Sequence, residues 1–204
     1  MKLGKNRSEL CYTYIFDPSW LCDYEVLTDE LSAQLGMALS AAETDAALVD
    51  LVPDLDRLQT LALHANGSIR GKPAITEADL DWLHLCYDHF RQEIEAKEPD
   101  RLKNFVLPRG LAPVPELHQA RSTAKKALRC LVRLEREAEN RREIPAEIPR
   151  FLNLACNFCF LLTALINQRR GITEPHFISK SYAVSGDAIR GKGSRYKRVG
   201  WIEA

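Results

Sequence analysis

No charge of either sign dominates this chain: 28 lysines and arginines balance 28 aspartates and glutamates. A surface-wide basic coat for nucleic acid is therefore not indicated, and any electrostatic recognition must be local. Long apolar runs are missing too; none approaches the ~20 consecutive residues that span a bilayer. The opening MKLGKNRSEL has no apolar core of the kind a secretion signal carries, so the expectation is a cytosolic protein without membrane partners. In that compartment Cys11, Cys22, Cys86, Cys130, Cys156 and Cys159 are expected as reduced thiols, not a disulfide framework. No internal repeat is visible, nor any strand pattern before residue 175. What remains is a chain of 204 residues with ordinary apolar content, long enough for one domain with a real core.

What is present is helical periodicity. From about Trp20 to Ala42, Leu21, Val26, Leu27, Leu31, Leu35 and Leu39 recur at helical spacing, after a turn at Asp17-Pro18-Ser19. Thr44 or Asp45 could cap a second helix holding Leu48, Leu51, Leu55, Leu58 and Leu61; Pro53 means that this helix is kinked or begins after it. Asn66-Gly67-Ser68 and Gly71-Lys72-Pro73 read as a loop. Thr76-Glu77-Ala78-Asp79 reads as the start of a third helix that runs to about Lys97. A fourth helix is expected from near Pro115 to about Arg142, and a fifth over roughly residues 150–168, apolar nearly all round and hence buried. The expected fold is all-α: a five-helix bundle over residues 1–174 and an irregular basic tail over 175–204.

The richest segment is Asn104–Arg129, NFVLPRGLAPVPELHQARSTAKKALR. A Pro/Gly loop leads into a helix on which Arg121, Lys125, Leu128 and Arg129 fall along one stripe. Such a stripe suits a polyphosphate or another anion.

The same segment resembles the PduO-type ATP:cob(I)alamin adenosyltransferases. FVLPRG at 105–110, His118, Ala120-Arg121 and the run Lys125–Arg129 are similar to that family's FVLPGG and H-x-A-R-x-x-x-R-R-x-E-R. Asp29-Glu30-Leu31 with Gly36 is similar to its first-helix motif, and Phe151-Leu152-Asn153 to the start of its last helix. The resemblance implies a five-helix bundle that assembles as a homotrimer, with ATP and a corrinoid at subunit interfaces. It implies that Co(I), freed of its lower axial ligand, attacks the 5′ carbon of ATP and displaces triphosphate. On this resemblance Phe105 covers the corrinoid's lower face and Arg121 belongs to the catalytic site. Asp29 and Arg121 pair across subunits, and Lys125, Lys126, Arg129, Asn153 and Asn157 face the nucleotide. ATP and cobalamin are the implied ligands; Mg2+ is left open.

The chain also departs from that family. Gly4-Lys5-Asn6-Arg7-Ser8 stands where the family has a glycine-rich T-G-D-x-G-x-T loop, whose backbone N–H groups can approach phosphates. Two arginines are replaced by Lys125 and Lys126, a glutamate by Leu128 and an aspartate by Asn157. Charge survives at the lysines, but the planar fork does not. Two expectations follow: a divergent adenosyltransferase, or a catalytically degenerate trimer that binds a corrinoid or another anion.

Other signals are weaker. Gly186–Ser194 is one residue from a P-loop pattern but lacks flanking strand and helix, so it reads as a basic tail or as a replacement for the missing loop. Cys156-x-x-Cys159 has metal-ligand spacing inside an apolar helix, where packing is the simpler explanation. His118 is as readily structural as functional; His84 and His89 read as surface or packing residues.

Overall fold

A computed structural model describes residues 6–137 and 143–180. Five α-helices make the body: α1 (Trp20–Glu43), α2 (Val52–Gly67), α3 (Glu77–Lys97), α4 (Val114–Leu134) and α5 (Glu147–Arg169). No strand forms among the described residues; one isolated antiparallel bridge joins Val106 and His176.

Local chemistry sets the helix starts. Ser19 caps α1 by accepting from the Leu21 N–H, and Thr76 and Asp79 form a reciprocal capping box on α3. A 3-10 turn at Val49–Leu51 runs straight into α2, which places Pro53 in its first turn, where its missing N–H costs nothing. Thr44 instead ends α1, and Asp45 turns the connection by accepting from the Ala47 N–H.

α4 stops at Leu134, short of the expected Arg142. Just past that end, Glu137 is bonded to the start of α1. Its carboxylate accepts from the Ser19 hydroxyl at 2.7 Å and the Trp20 N–H at 2.6 Å. That places a negative charge where the α1 dipole favours one.

α1 packs against α2 on one side and α4 on the other, α4 against α5, and α5 against α3. Leu21, Tyr24, Leu31, Leu35 and Ala38 give α1 its apolar stripe, and Ala120, Ala124 and Ala127 give α4 a thin buried seam. α5 is long and apolar enough to cross a membrane by length and composition alone, although the sequence shows no unbroken run of that length. Here its residues are mostly buried inside the bundle, with Phe151, Phe158 and Leu162 wholly enclosed. Each such side chain contributes roughly 2–3 kcal/mol by leaving water. Two asparagines, Asn153 and Asn157, one turn apart, stay exposed.

Residues 175–177 run antiparallel to 105–107. The Gly186–Ser194 segment lies outside the described residues, as does most of the basic tail.

Candidate functional site

The small alanine seam of α4 faces inward, so its long side chains stand outward. Lys125, Lys126 and Arg129 are exposed, and none forms an ion pair with a described residue. Arg121 is half-buried with its guanidinium 5.2 Å from the Phe160 ring centre on α5, while Arg133 stacks on Trp20 at 4.2 Å. The cations border two neighbouring depressions of about 510 Å3 each. Glu30, Gln34, Pro108, His118, Arg121 and Lys126 help to line the first. Trp20, Asp23, Lys125, Lys126, Arg129 and Arg133 help to line the second. The stripe is thus shared between two hollows, with Lys126 on both.

The first hollow holds an unusual set of polar atoms. Gln34 Oε1, both ring nitrogens of His118 and Arg121 Nε are buried and have no hydrogen-bond partner. Buried polar groups are nearly always paired, because each unmet one costs roughly 1–3 kcal/mol. Glu30 is already engaged by Gln34 Nε2 at 2.8 Å and Thr123 Oγ1 at 3.2 Å. Desolvation, with a smaller push from the Arg121 charge, lowers the His118 pKa to about 4, so the ring is neutral near pH 7. The hollow therefore offers one guanidinium, one ammonium and a neutral imidazole to an incoming polar ligand.

Phe105 sits on the loop between α3 and α4 and is 55% exposed. Its carbonyl accepts from the Phe177 N–H at 2.8 Å, and the Leu107 N–H donates to the Pro175 carbonyl at 2.9 Å. With Val106 opposite His176, Phe105 lies opposite Phe177. Alternation along a strand then puts Phe105, Leu107, Pro175 and Phe177 on one face of the ribbon. All four are exposed. Sequence reading missed Phe177, since a single bridge leaves no alternating pattern to find. The loop reaches the first hollow through Pro108.

Asn153 and Asn157 project from α5; Asn153 Nδ2 returns to the Pro149 carbonyl at 3.0 Å. Between them, Cys156 is buried near Arg121 and Lys125, and burial pushes its thiol pKa up despite both cations. Burial raises the Cys159 thiol to about 12. No group of three or more His, Cys, Asp or Glu among the described residues is placed to hold a metal ion. His84 and His89 are exposed on α3.

Asp29 is exposed and lines a third hollow, of about 420 Å3, with Cys11, Tyr12, Glu25 and Asn66. It forms no ion pair with Arg121 within the chain. Behind it Glu25 is buried and saturated: Arg70 donates to both its oxygens at 2.8 and 2.9 Å, and the Tyr12 hydroxyl donates to one. Arg70 also stacks on Tyr14 at 3.6 Å. This lock fixes the N-terminal segment against α1 and was not visible in the sequence.

A family model described as cobalamin adenosyltransferase matches residues 26–166. A corrinoid adenosyltransferase from Bacillus subtilis is 27% identical over 154 residues, 73% of this chain and 75% of that protein. A cobalamin adenosyltransferase from Cupriavidus metallidurans is 28% identical over 147 residues, 70% of this chain and 72% of its own. Among solved structures, a PduO-type ATP:corrinoid adenosyltransferase variant from Lactobacillus reuteri, complexed with cobalamin and ATP, superposes with a TM-score of 0.67 at 20% identity. The match covers 79% of this chain and 88% of that one. At that identity the likeness speaks for the fold.

Proposed function

Since this chain belongs to the cobalamin adenosyltransferase family, we propose that it transfers the adenosyl group of ATP to a Co(I) corrinoid. In that reaction cobalt's electron pair forms a bond to C5′, the C5′–O bond breaks, and triphosphate leaves with the electrons of that bond. A leaving group so highly charged calls for fixed cations more than for proton transfer.

The observation that carries this reading is the set of unpaired cations on α4, next to a hollow whose buried polar atoms have no partners. Lys125, Lys126 and Arg129 would neutralise triphosphate, and Asn153 and Asn157 on the next helix would present amides to the nucleotide. Lysine keeps the charge of the arginines usual at such positions but binds as a point charge without a fork. Phe105, with Phe177 opposite, offers the apolar surface that would exclude the lower axial ligand and its water. The described residues build no cage for Mg2+, which would be carried by the phosphate oxygens.

Asp29 and Arg121 have no partner in each other within one chain, which suits a pair made between neighbouring subunits. The homotrimer rests on the family resemblance. One observation favours the binding-protein alternative: Leu128 packs against the core where the family pattern has a glutamate.

The deciding experiment is an absorbance assay with chemically reduced cobalamin and ATP. Formation of adenosylcobalamin with release of triphosphate supports the transferase. Binding of both ligands without turnover, under conditions where an ordinary family member reacts, selects the alternative.

A further inference from the structure

The loop carrying Phe105 is held almost residue by residue from one direction. Phe105 O and Leu107 N bond to the 175–177 segment, as described. Arg109 O accepts from Asn167 Nδ2 at 2.8 Å, and Ala112 O accepts from Arg170 Nη1 at 2.7 Å. Every one of these partners lies at the end of α5 or just after it.

Asn167 is the junction of this frame. It is wholly buried. Its Nδ2 also donates to Glu174 Oε1 at 2.8 Å, and its backbone carbonyl accepts from the Ile172 N–H at 2.8 Å. Its Oδ1 lies against Gly110 so closely that a Cβ there would stand 2.6 Å away. Glu174, 6% exposed, is fixed in turn by Arg101 Nη2 at 2.6 Å, which also reaches the Ile172 carbonyl at 2.9 Å. Asparagine suits the junction for a specific reason. One amide nitrogen supplies two hydrogens, one for a carbonyl and one for a carboxylate; aspartate has none and alanine leaves both acceptors unmet. Neither Asn167 nor Glu174 lines the hollow beside Arg121, whereas Pro108 of the loop does.

We infer that Asn167 is a positioning residue for adenosyl transfer: with Glu174 it clamps the 105–110 backbone so that Phe105 is held over the corrinoid's lower face. The inference rests on the corrinoid reading above, and its test has an arm independent of that reading. In the full chain carrying Asn167→Ala, hydrogen exchange at the Leu107 and Phe177 amides speeds up at least tenfold, while amides of α1 keep their rates. In the activity arm, kcat/KM for cobalamin falls at least tenfold. With cobinamide, a corrinoid that lacks the lower base, it falls less than threefold, and the Kd for ATP moves less than twofold. Glu174→Gln, which keeps an oxygen for Asn167, shows the same pattern at smaller amplitude and serves if Asn167→Ala does not fold. Unchanged exchange at both amides, or an equal loss with both corrinoids, overturns the inference. A parent chain that makes no adenosylcobalamin removes the transferase reading alone, and the exchange arm still decides whether Asn167 holds the loop.

Discussion

The outer face of α4 and the frame at the end of α5 are made of similar material and are wired in opposite ways. Both carry several arginines. In the α5-end frame each arginine has a carboxylate partner: Arg169 forks onto Asp50 and Glu93, Arg170 joins Asp45 to the Ala112 carbonyl, and Arg101 joins Glu98 to Glu174. On α4, Lys125, Lys126 and Arg129 have no carboxylate partner among the described residues, and Arg121 faces an aromatic ring. A cation paired with carboxylates fixes the fold, although Arg101 Nε, Asn167 Oδ1 and Gln168 Oε1 in the frame have no partner of their own. A cation that lines a hollow with no carboxylate bonded to it is free to meet a ligand. The contrast separates what holds this protein together from what it would act with.

The hardest blow to the frame is Glu174→Ala. Removing one partner from a buried pair leaves Arg101 poorly compensated, and the expected loss is about 3 kcal/mol. Denaturant unfolding measures it, and a loss under ~1 kcal/mol would show that the frame carries little of the stability. The same operation on α4 has the reverse signature. The triple change Lys125→Ala, Lys126→Ala and Arg129→Ala should leave stability within ~0.5 kcal/mol. It should weaken ATP binding by at least about tenfold, ~1.4 kcal/mol, in calorimetry. If stability falls instead, the face is structural and the comparison fails.

A subtler test uses pH. His118 in the first hollow is neutral in the fold because burial lowers its pKa to about 4 from the ordinary 6.5. Below pH 6.5 the unfolded chain takes up a proton that the folded chain refuses, so stability is lost as pH falls from 6.5 toward 4. His118→Gln removes that component, and the variant's melting temperature should fall less steeply than the parent's over that window. Parallel curves would mean that the ring is not desolvated. The smallest effect is expected from Lys125→Arg. It restores a planar fork without altering charge, and ATP affinity should rise by only about twofold. A large drop would place Lys125 where no fork fits.

Much of the fold was legible because its signals are local. The α1 stripe, the Thr76 capping box and the apolar α5 lie in runs of neighbouring residues, and the helices form where those runs predict. The end of α4 was not legible: just beyond it Glu137 meets Ser19 and Trp20, far away in sequence. The cationic stripe was read from helical spacing alone, and the structure adds that two hollows divide it. The Phe105–Phe177 register and the role of Asn167 were out of reach. Their partners are about 60 to 70 residues apart, and one bridge leaves no period. Asp29 and Arg121 line different hollows of the same chain.

By itself the sequence determined that five helices form and that α4 carries a band of positive charge, since both follow from the 3.6-residue turn and near neighbours. Helical spacing singled out Arg121 and was silent on Arg101, and it could not say what either guanidinium would face. Only the packing decided that one is locked onto Glu174 and the other faces a hollow. Whether a charge is satisfied depends on what the fold sets opposite it, and that is fixed by contacts across the bundle.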